Sequence, residues 1–343
     1  MCGIAGRVGP HAGQLDSIKE MTDSLYHRGP DDEGFFVLPN VELGARRLAI
    51  IDVEGGHQPI VTVDGNVAVA FNGEIYNFAQ LRVELLSRGC PLKTQGDTEV
   101  LAYLYQLDGI DFVQKLRGMF AISIWDSRTK SLILIRDRLG EKPLLYSQKT
   151  NGGIDFASEA KALLRMGAAK EADLRALDFV LTFGYAPPPM TGFTSIAALP
   201  PAHFLIWNSD RIEVKRYWRF DSTRKTDFTA LEAQDSVHDA LEESVRNQMI
   251  SERPLGVFLS GGVDSSLVAA LASKHSPHRL ETYSIGFKDQ KFDESKYARQ
   301  VAAHLGTDHH ELIVDPDPAL MVEILTNTLD RPFADSRARD SNK

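Results

Sequence analysis

The sequence predicts two folds in tandem: an α+β domain of layered, largely antiparallel sheets, followed by a parallel α/β sheet. Three observations carry this reading. The chain has 343 residues, more than one hydrophobic core usually holds. Its first half contains many short apolar runs joined by tight polar turns, with two or three helical stretches among them. Its second half alternates one apolar run with one helical stretch, the pattern of strands that return in the same direction. The domains are expected over 2–215 and 231–343, with a linker over 216–230. Within that linker, residues 221–228 are polar and lack a sustained apolar pattern.

Composition removes several function classes. Lys and Arg number 38 against 47 Asp and Glu, a formal charge of −9, so a sequence-independent nucleic-acid surface is not expected. Only Cys2 and Cys90 are present, which argues against a disulfide framework and for a reducing compartment, the cytoplasm. No basic region followed by an apolar run opens the chain, and no run is long enough to cross a bilayer, so neither signal peptide nor membrane contact is expected.

The chain opens Met1-Cys2-Gly3-Ile4-Ala5-Gly6. Removal of Met1 would leave Cys2 with a thiol nucleophile and a free α-amine, whose pKa of roughly 7.7–8.0 suits proton exchange near neutrality. Residues 3–8 then read as a short buried strand, and residues 14–26 as a helix, with apolar positions at Leu15, Ile18, Met21 and Leu25. His27-Arg28-Gly29-Pro30-Asp31-Asp32-Glu33-Gly34 has turn composition, and a structural loop suits it at least as well as a catalytic role. Between residues 43 and 52 the pair Arg46-Arg47 interrupts apolar residues, so one of the two arginines is expected to face a ligand.

Residues 67–71 form the next expected strand, delivering Asn72-Gly73-Glu74-Ile75-Tyr76-Asn77. Asn-Gly at a strand end suits a hairpin turn, and it also suits an amide and a backbone N–H aimed at a developing oxyanion. Residues 79–87 read as a helix with Leu81, Leu85 and Leu86 on its apolar face, and Asp97 or Thr98 as the N-cap of the next helix. Strands follow over 119–126, 131–136 and 144–147, with a turn at Asp137-Arg138-Leu139-Gly140. A proline-rich stretch from Tyr185, a strand over 204–207, a turn at Asn208-Ser209-Asp210 and residues 213–220 complete the first domain.

Six motifs, Cys2-Gly3-Ile4, His27-Arg28-Gly29-Pro30-Asp31, Arg47-Leu48-Ala49-Ile50, Asn72-Gly73-Glu74-Ile75-Tyr76-Asn77, Gly96-Asp97-Thr98-Glu99 and Arg136-Asp137-Arg138-Leu139-Gly140, together resemble the glutaminase domain of class II glutamine amidotransferases. That resemblance implies an N-terminal-nucleophile fold, an αββα sandwich. Tyr185-Ala186-Pro187-Pro188-Pro189 and Leu199-Pro200-Pro201-Ala202-His203 are similar to the asparagine synthetases within that class. A glycine is commoner there at the position of Ala202, a departure with no evident cost. The resemblance implies that Cys2 attacks the glutamine amide and that Asn72 and the Gly73 N–H hold the oxyanion. It further implies that Arg47 grips the α-carboxylate, Asp97 with Glu74 holds the α-ammonium, and Leu48, Ala49, Ile50 and Ile51 complete the glutamine site.

The second domain opens with a helix over 235–249 that places Val237, Leu241, Val245 and Met249 on one side. An apolar strand over 255–259 runs into Ser260-Gly261-Gly262-Val263-Asp264-Ser265-Ser266 and a helix over 267–274. Strand, glycine-serine turn and helix start suit an anion site, though they equally suit an ordinary capped loop. The run lacks the lysine of a Walker loop. It is similar to the pyrophosphate loop of the ATP-pyrophosphatase superfamily, which implies ATP binding by Leu259, Ser260, Gly261, Gly262, Asp264, Ser265, Ser266 and Ile285. Mg²⁺ is implied with the phosphates, Asp264 being the residue nearest to it by resemblance. A strand over 281–287, a helix beginning at Phe292-Asp293-Glu294-Ser295 and a strand near 307–312 follow. His309 and His310 stand beside Glu311, but neighbours on a strand face opposite ways, so a metal site is not expected there.

The resemblance implies glutamine-dependent amidation of aspartate: glutamine hydrolysis to glutamate and ammonia, adenylation of aspartate by ATP, and release of asparagine, AMP and pyrophosphate. A homodimer is a family expectation. The alternatives are amidation of another carboxylate, or a chain with glutaminase activity alone. Arg331-Pro332-Phe333-Ala334-Asp335-Ser336 still follows the family pattern, whereas residues 337–343 do not. The second domain is therefore expected to be only its N-terminal part, giving a poorly soluble chain that hydrolyses glutamine and makes little asparagine.

Overall fold

The computed structural model describes residues 1–209, 211–288, 293–315, 322–325 and 328–332. Asp210, Phe292, 333–336 and 337–343, all singled out above, lie outside the described residues. Two compact units divide after Phe220: the first runs from Met1 to Phe220 and is rejoined at Leu329, and the second runs from Asp221 to Thr328. Residues 217–229 carry no helix or strand. Among the described residues no helix is long and apolar enough to cross a membrane.

In the first unit the order is β1 (Gly3–Val8), α1 (Leu15–Asp23), β2 (Asp32–Leu38), β3 (Val41–Arg47), β4 (Ile60–Val61), β5 (Val67–Ile75), α2 (Phe78–Ser87), α3 (Asp97–Asp108), β6 (Gly118–Asp126) and β7 (Ser131–Arg136). Then come β8 (Leu145–Gln148), β9 (Ile154–Ala157), α4 (Ala160–Arg165), α5 (Leu174–Phe183), β10 (Ala197–Ala198), β11 (His203–Asn208) and β12 (Arg211–Arg216). They form two six-stranded sheets, ordered β10-β8-β9-β1-β3-β2 and β12-β11-β7-β6-β5-β4, whose paired strands are all antiparallel.

The period-two alternation of each strand builds the layers. On β5, Val67, Val69 and Phe71 join the core under α2 and α3, while Ala68 and Ala70 face the other sheet with Ile4, Leu43 and Trp125. Under the outer face of the first sheet, Ala5 and Leu145 pack with Ile18, Met21 and Leu25. The layering is helix, sheet, sheet, helix, as the resemblance implies.

Several local expectations are corrected. The first helix ends at Asp23, and Tyr26–Arg28 is a separate 3-10 turn; Leu15 is exposed while Ile18, Met21 and Leu25 are fully buried. Asp32-Glu33-Gly34 is not turn but the start of β2, paired with Arg47, Arg46 and Ala45. Asn72-Gly73-Glu74 lies inside β5, opposite Ala121, Phe120 and Met119, so the Asn-Gly pair makes no hairpin. Leu86 is exposed. Gly96, not Asp97 or Thr98, occupies the N-cap of α3, with no side-chain capping bond. Ala202 also has a cost after all: it is buried at φ +60°, the left-handed region that favours glycine.

The second unit contains α6 (Ala230–Gln248), β13 (Gly256–Phe258), α7 (Val263–His275), β14 (Glu281–Phe287), α8 (Ser295–Leu305) and β15 (Asp308–Val314). Its strands are parallel in the order β13-β14-β15. A capping box of Thr229 and Glu232 starts α6 ahead of the expected position, and none of its residues is buried, Val237 included. Leu259, Ala269, Ala298 and Ala302 form the core of this unit.

Candidate functional site

Cys2 stands just before β1, and the pairing of Gly3 with Arg46 brings it beside the end of β3. The Leu48 N–H donates to Cys2 Sγ at 3.4 Å. Burial pushes the thiol's pKa up, against the pull of its bond to Leu48. The residues from His27 to Asp31 hold this arrangement from behind. Arg28 donates from Nε to the Cys2 carbonyl at 3.0 Å and from Nη1 to Glu159 at 2.6 Å. Asp31 accepts from the Ala49 N–H at 2.9 Å, and a Cβ on Gly29 would meet the Arg46 carbonyl carbon at 2.4 Å. The loop reading of this motif thus has a physical content: it positions Cys2 and the 48–49 backbone.

The arginine pair divides between two faces. Arg46 pairs with Asp23 and with Glu33 and lies over the Tyr26 ring. Arg47 is buried, and its guanidinium donates to the carbonyls of Val53, Ile51 and Asp52 at 3.1, 2.9 and 2.7 Å. Those bonds occupy three of the five N–H donors of a guanidinium and fix its plane. Asp52 in turn accepts from Gly55 N–H and from Gln95 N–H, joining the loop that holds Arg47 to the segment entering α3.

A cavity of about 100 Å³ collects Cys2, Arg47, Asn72, Gly73, Glu74 and Asp97. Leu48, Ile50 and Ile51 also line it, whereas Ala49 does not. Asn72 is fully buried, and neither its Nδ2 nor its Oδ1 has a hydrogen-bond partner among the described residues. A buried amide left unsatisfied costs on the order of 1–3 kcal/mol, so this one is set for something that enters the cavity. Gly73 must be glycine, because a Cβ there would sit 2.1 Å from the Met119 carbonyl oxygen of β6.

Charge in the cavity is poorly solvated. Asp97 is pushed up to about 7, chiefly by burial and further by Glu74, despite the Ile75 N–H donating to its Oδ2 at 3.1 Å. Glu74 is raised by burial as well. Both acids would return toward their ordinary range beside a cation.

Lys142 was not singled out in the sequence, yet it is buried and lines the same cavity. Burial lowers its pKa. It follows the Arg136-Asp137-Arg138-Leu139-Gly140 run by two residues, and that run explains its position. Asp137 accepts from the N–H groups of Phe120, Leu139, Glu141 and Lys142, while the Lys142 carbonyl accepts from Arg136 Nε at 2.9 Å. The loop after β7 is thereby tied to β6. The available signal was a lysine next to a turn motif, indistinguishable in sequence from a surface residue.

In the second unit, Leu259 is buried and its N–H donates to the Tyr283 carbonyl at 2.7 Å. The loop folds on itself: Ser260 Oγ and Ser265 Oγ are 3.0 Å apart, and Gly262 N–H donates to Ser260 Oγ at 3.4 Å. Gly261 has φ +80°, and a Cβ there would lie 2.5 Å from Tyr297 Cβ on α8. Gly262 is the N-cap of α7 without a side-chain bond, and Ser260, Gly262 and Asp264 are exposed. Ser266 and Ile285 are half-buried. Among the described residues no group of three or more His, Cys, Asp or Glu is arranged to hold a metal ion. His309 bonds with Thr282 and Ser284, while His310 stacks on Tyr283.

Comparison with known proteins agrees with this division. The glutamine amidotransferase domain family matches residues 1–218, and the asparagine synthase family matches residues 236–340. The glutamine-hydrolyzing asparagine synthetase 1 of Bacillus subtilis (strain 168) is 37% identical over 98% of this chain and 54% of its own length. The glutamine-hydrolyzing asparagine synthetase 2 of Arabidopsis thaliana is 35% identical over 91% of this chain and 50% of its own. The chain therefore spans about half the length of these two relatives. Among solved structures, an allosteric regulatory enzyme of purine biosynthesis shares the fold at a TM-score of 0.51 and 17% identity, over 99% of this chain and 91% of that one.

Proposed function

From the premise that this chain belongs to the glutamine amidotransferase family, with asparagine synthase sequence behind it, we propose that Cys2 hydrolyses glutamine to glutamate and ammonia for the synthesis of asparagine. The observation that carries the first half is the Asn72 amide, fully buried and unpartnered in the cavity that also holds Cys2, Arg47 and Asp97. With Met1 removed, the Cys2 α-amine takes the thiol proton as sulfur bonds to the glutamine amide carbon. The carbonyl electron pair moves to oxygen, which accepts from Asn72 Nδ2 and the Gly73 N–H. The amine then returns the proton to nitrogen, the carbon–nitrogen bond breaks, and ammonia leaves a thioester that water hydrolyses. Arg47 offers its remaining donors to the α-carboxylate, and Asp97 with Glu74 offers anionic charge to the α-ammonium.

For the second half, the 260–266 loop would receive the phosphates of ATP through backbone N–H groups and the start of α7. Mg²⁺ would arrive with the nucleotide and offset phosphate charge; Asp264, an exposed acid in the first turn of α7, fits one contact of an ion that keeps most of its ligands as water and phosphate oxygen. Aspartate is the acceptor in this reading, supported by the match of residues 236–340 to the asparagine synthase family. Two free cysteines suit a reducing cytoplasm. The test is glutamate release from glutamine by the purified chain, with Cys2→Ala as control. Release that falls to background in Cys2→Ala supports the reading, and equal release by both chains overturns it.

A further inference from the structure

One edge of β5 is filled on both sides of Gly73. β4 pairs with β5 at Ile60 opposite Val69 and Val61 opposite Ala68, and β5 runs on beyond it. N–H groups of alternate residues leave a strand on the same side, so those of Phe71, Gly73 and Ile75 share one edge. Phe71 N–H donates to Gln58 Oε1 at 2.7 Å, and Ile75 N–H donates to Asp97 Oδ2 at 3.1 Å. Gly73 lies between them, opposite Phe120 of β6. Phe120 N–H donates to Asp137 Oδ2 at 3.2 Å, and its carbonyl accepts from Asp137 N–H at 2.9 Å, just past β7 and so on the side away from β5. The Gly73 N–H is therefore turned away from β6, and Gly73 lines the cavity.

Gln58 is 6% exposed and lines the same cavity. It stands two residues ahead of Ile60, where a longer β4 would have met Phe71, and its side chain supplies the acceptor that a buried N–H there requires. Its Nε2 donates to the Oγ1 of Thr98 at 3.2 Å, the neighbour of Asp97 on α3. An amide accepts at one end and donates at the other, so these two bonds hold it in one orientation.

We propose that Gln58 is a positioning residue for the oxyanion donors: with Asp97 it clamps β5 on both sides of Gly73 and ties that strand to the start of α3. The inference rests on the proposed hydrolysis of glutamine at Cys2. In that reaction the Gly73 N–H and the Asn72 amide must stay in place while negative charge develops on the carbonyl oxygen. Gln58 acts on them through Phe71 and Thr98. Asp97 keeps its own bond to the Ile75 N–H without Gln58, so the ground-state grip on the α-ammonium is spared.

The test uses the full chain without Met1 and Gln58→Met, which keeps the length of the side chain and makes neither bond. Amide hydrogen exchange at Phe71 should quicken at least about tenfold relative to Ile75. kcat for glutamate release should fall about 10–100-fold, the scale of a displaced oxyanion donor, with KM within about threefold. In an Asn72→Ala background the same substitution should cost several-fold less, because one of the donors it positions is gone. If Gln58→Met does not fold, Thr98→Val removes the far anchor of the amide and should lower kcat about threefold to tenfold at unchanged KM. The inference is overturned by Phe71 exchange that is alike in both chains, by an unchanged kcat in the folded variant, or by an equal loss in both backgrounds. A merely structural defect would give that equal loss. Absence of glutamate release from the unsubstituted chain overturns the glutaminase reading instead.

Discussion

The cavity around Cys2 and the loop at 260–266 both bring glycines together with polar side chains, but one is lined by buried groups and the other faces solvent. In the first, Asn72 is fully buried and Arg47, Asp97 and Lys142 are each less than 10% exposed. In the second, Ser260, Gly262 and Asp264 are exposed, and the polar groups bond mainly to one another. The difference is one of where recognition energy is stored. Burial in the first site has already removed water from amide, acid and base, so a ligand of matching charge finds groups that need it. The open loop has removed little water, and its contribution lies in backbone geometry.

Removing the orphaned amide tests the enclosed site most severely. Asn72→Ala should lower kcat for glutamate release by about 10²–10³-fold with KM changed far less, since the amide acts on charge that develops during reaction. A comparable rise in KM alone would mean that Asn72 only binds.

Asp97 gives the next effect. Burial pushes its carboxyl up to about 7, so below that pH glutamine must meet a neutral acid. KM for glutamine should rise about tenfold for each pH unit below 7, and flatten in Asp97→Asn at a uniformly high value. A KM independent of pH between 5.5 and 8 in the unsubstituted chain would remove Asp97 from ammonium binding.

The smallest effects come from a matched pair of backbone positions. Gly261→Ala places a Cβ at φ +80° against α8 and should destabilise the second unit by about 1–2 kcal/mol, read by thermal melting. Ala202→Gly relieves a left-handed alanine and should stabilise the first unit by up to about 1 kcal/mol. Equal and negligible shifts would show that both regions absorb such strain alike.

Much of this was legible in the sequence because spacing and residue chemistry agree. The motifs at Cys2, Arg47, Asn72 and Asp97 do converge on one cavity, and the alternating runs do build two sheets and a parallel third. What failed, failed where distant packing decides. Asn72-Gly73 has turn composition, but β6 pairs with it residue for residue and keeps it extended. Asp32-Glu33-Gly34 has turn composition too, yet Arg46 and Arg47 of β3 lie opposite its acids. Asp97 has the chemistry of an N-cap, and its carboxylate is taken instead by the Ile75 N–H. Lys142 was invisible because nothing local marks a lysine as buried; its loop is held by Asp137, which also accepts from Phe120 on β6.

Asp52 shows what such long-range ties can accomplish. One of its oxygens accepts from Gly55, in the loop whose carbonyls hold Arg47, and the other accepts from Gln95 at the entry to α3, which carries Asp97. The basic and the acidic anchor of the cavity are thus set at a fixed separation by one side chain, with the thiol as a third point. Three fixed and chemically different points define a handedness, so if the proposed reading holds, the cavity would read the chirality of glutamine at its α-carbon as well as the length of its side chain.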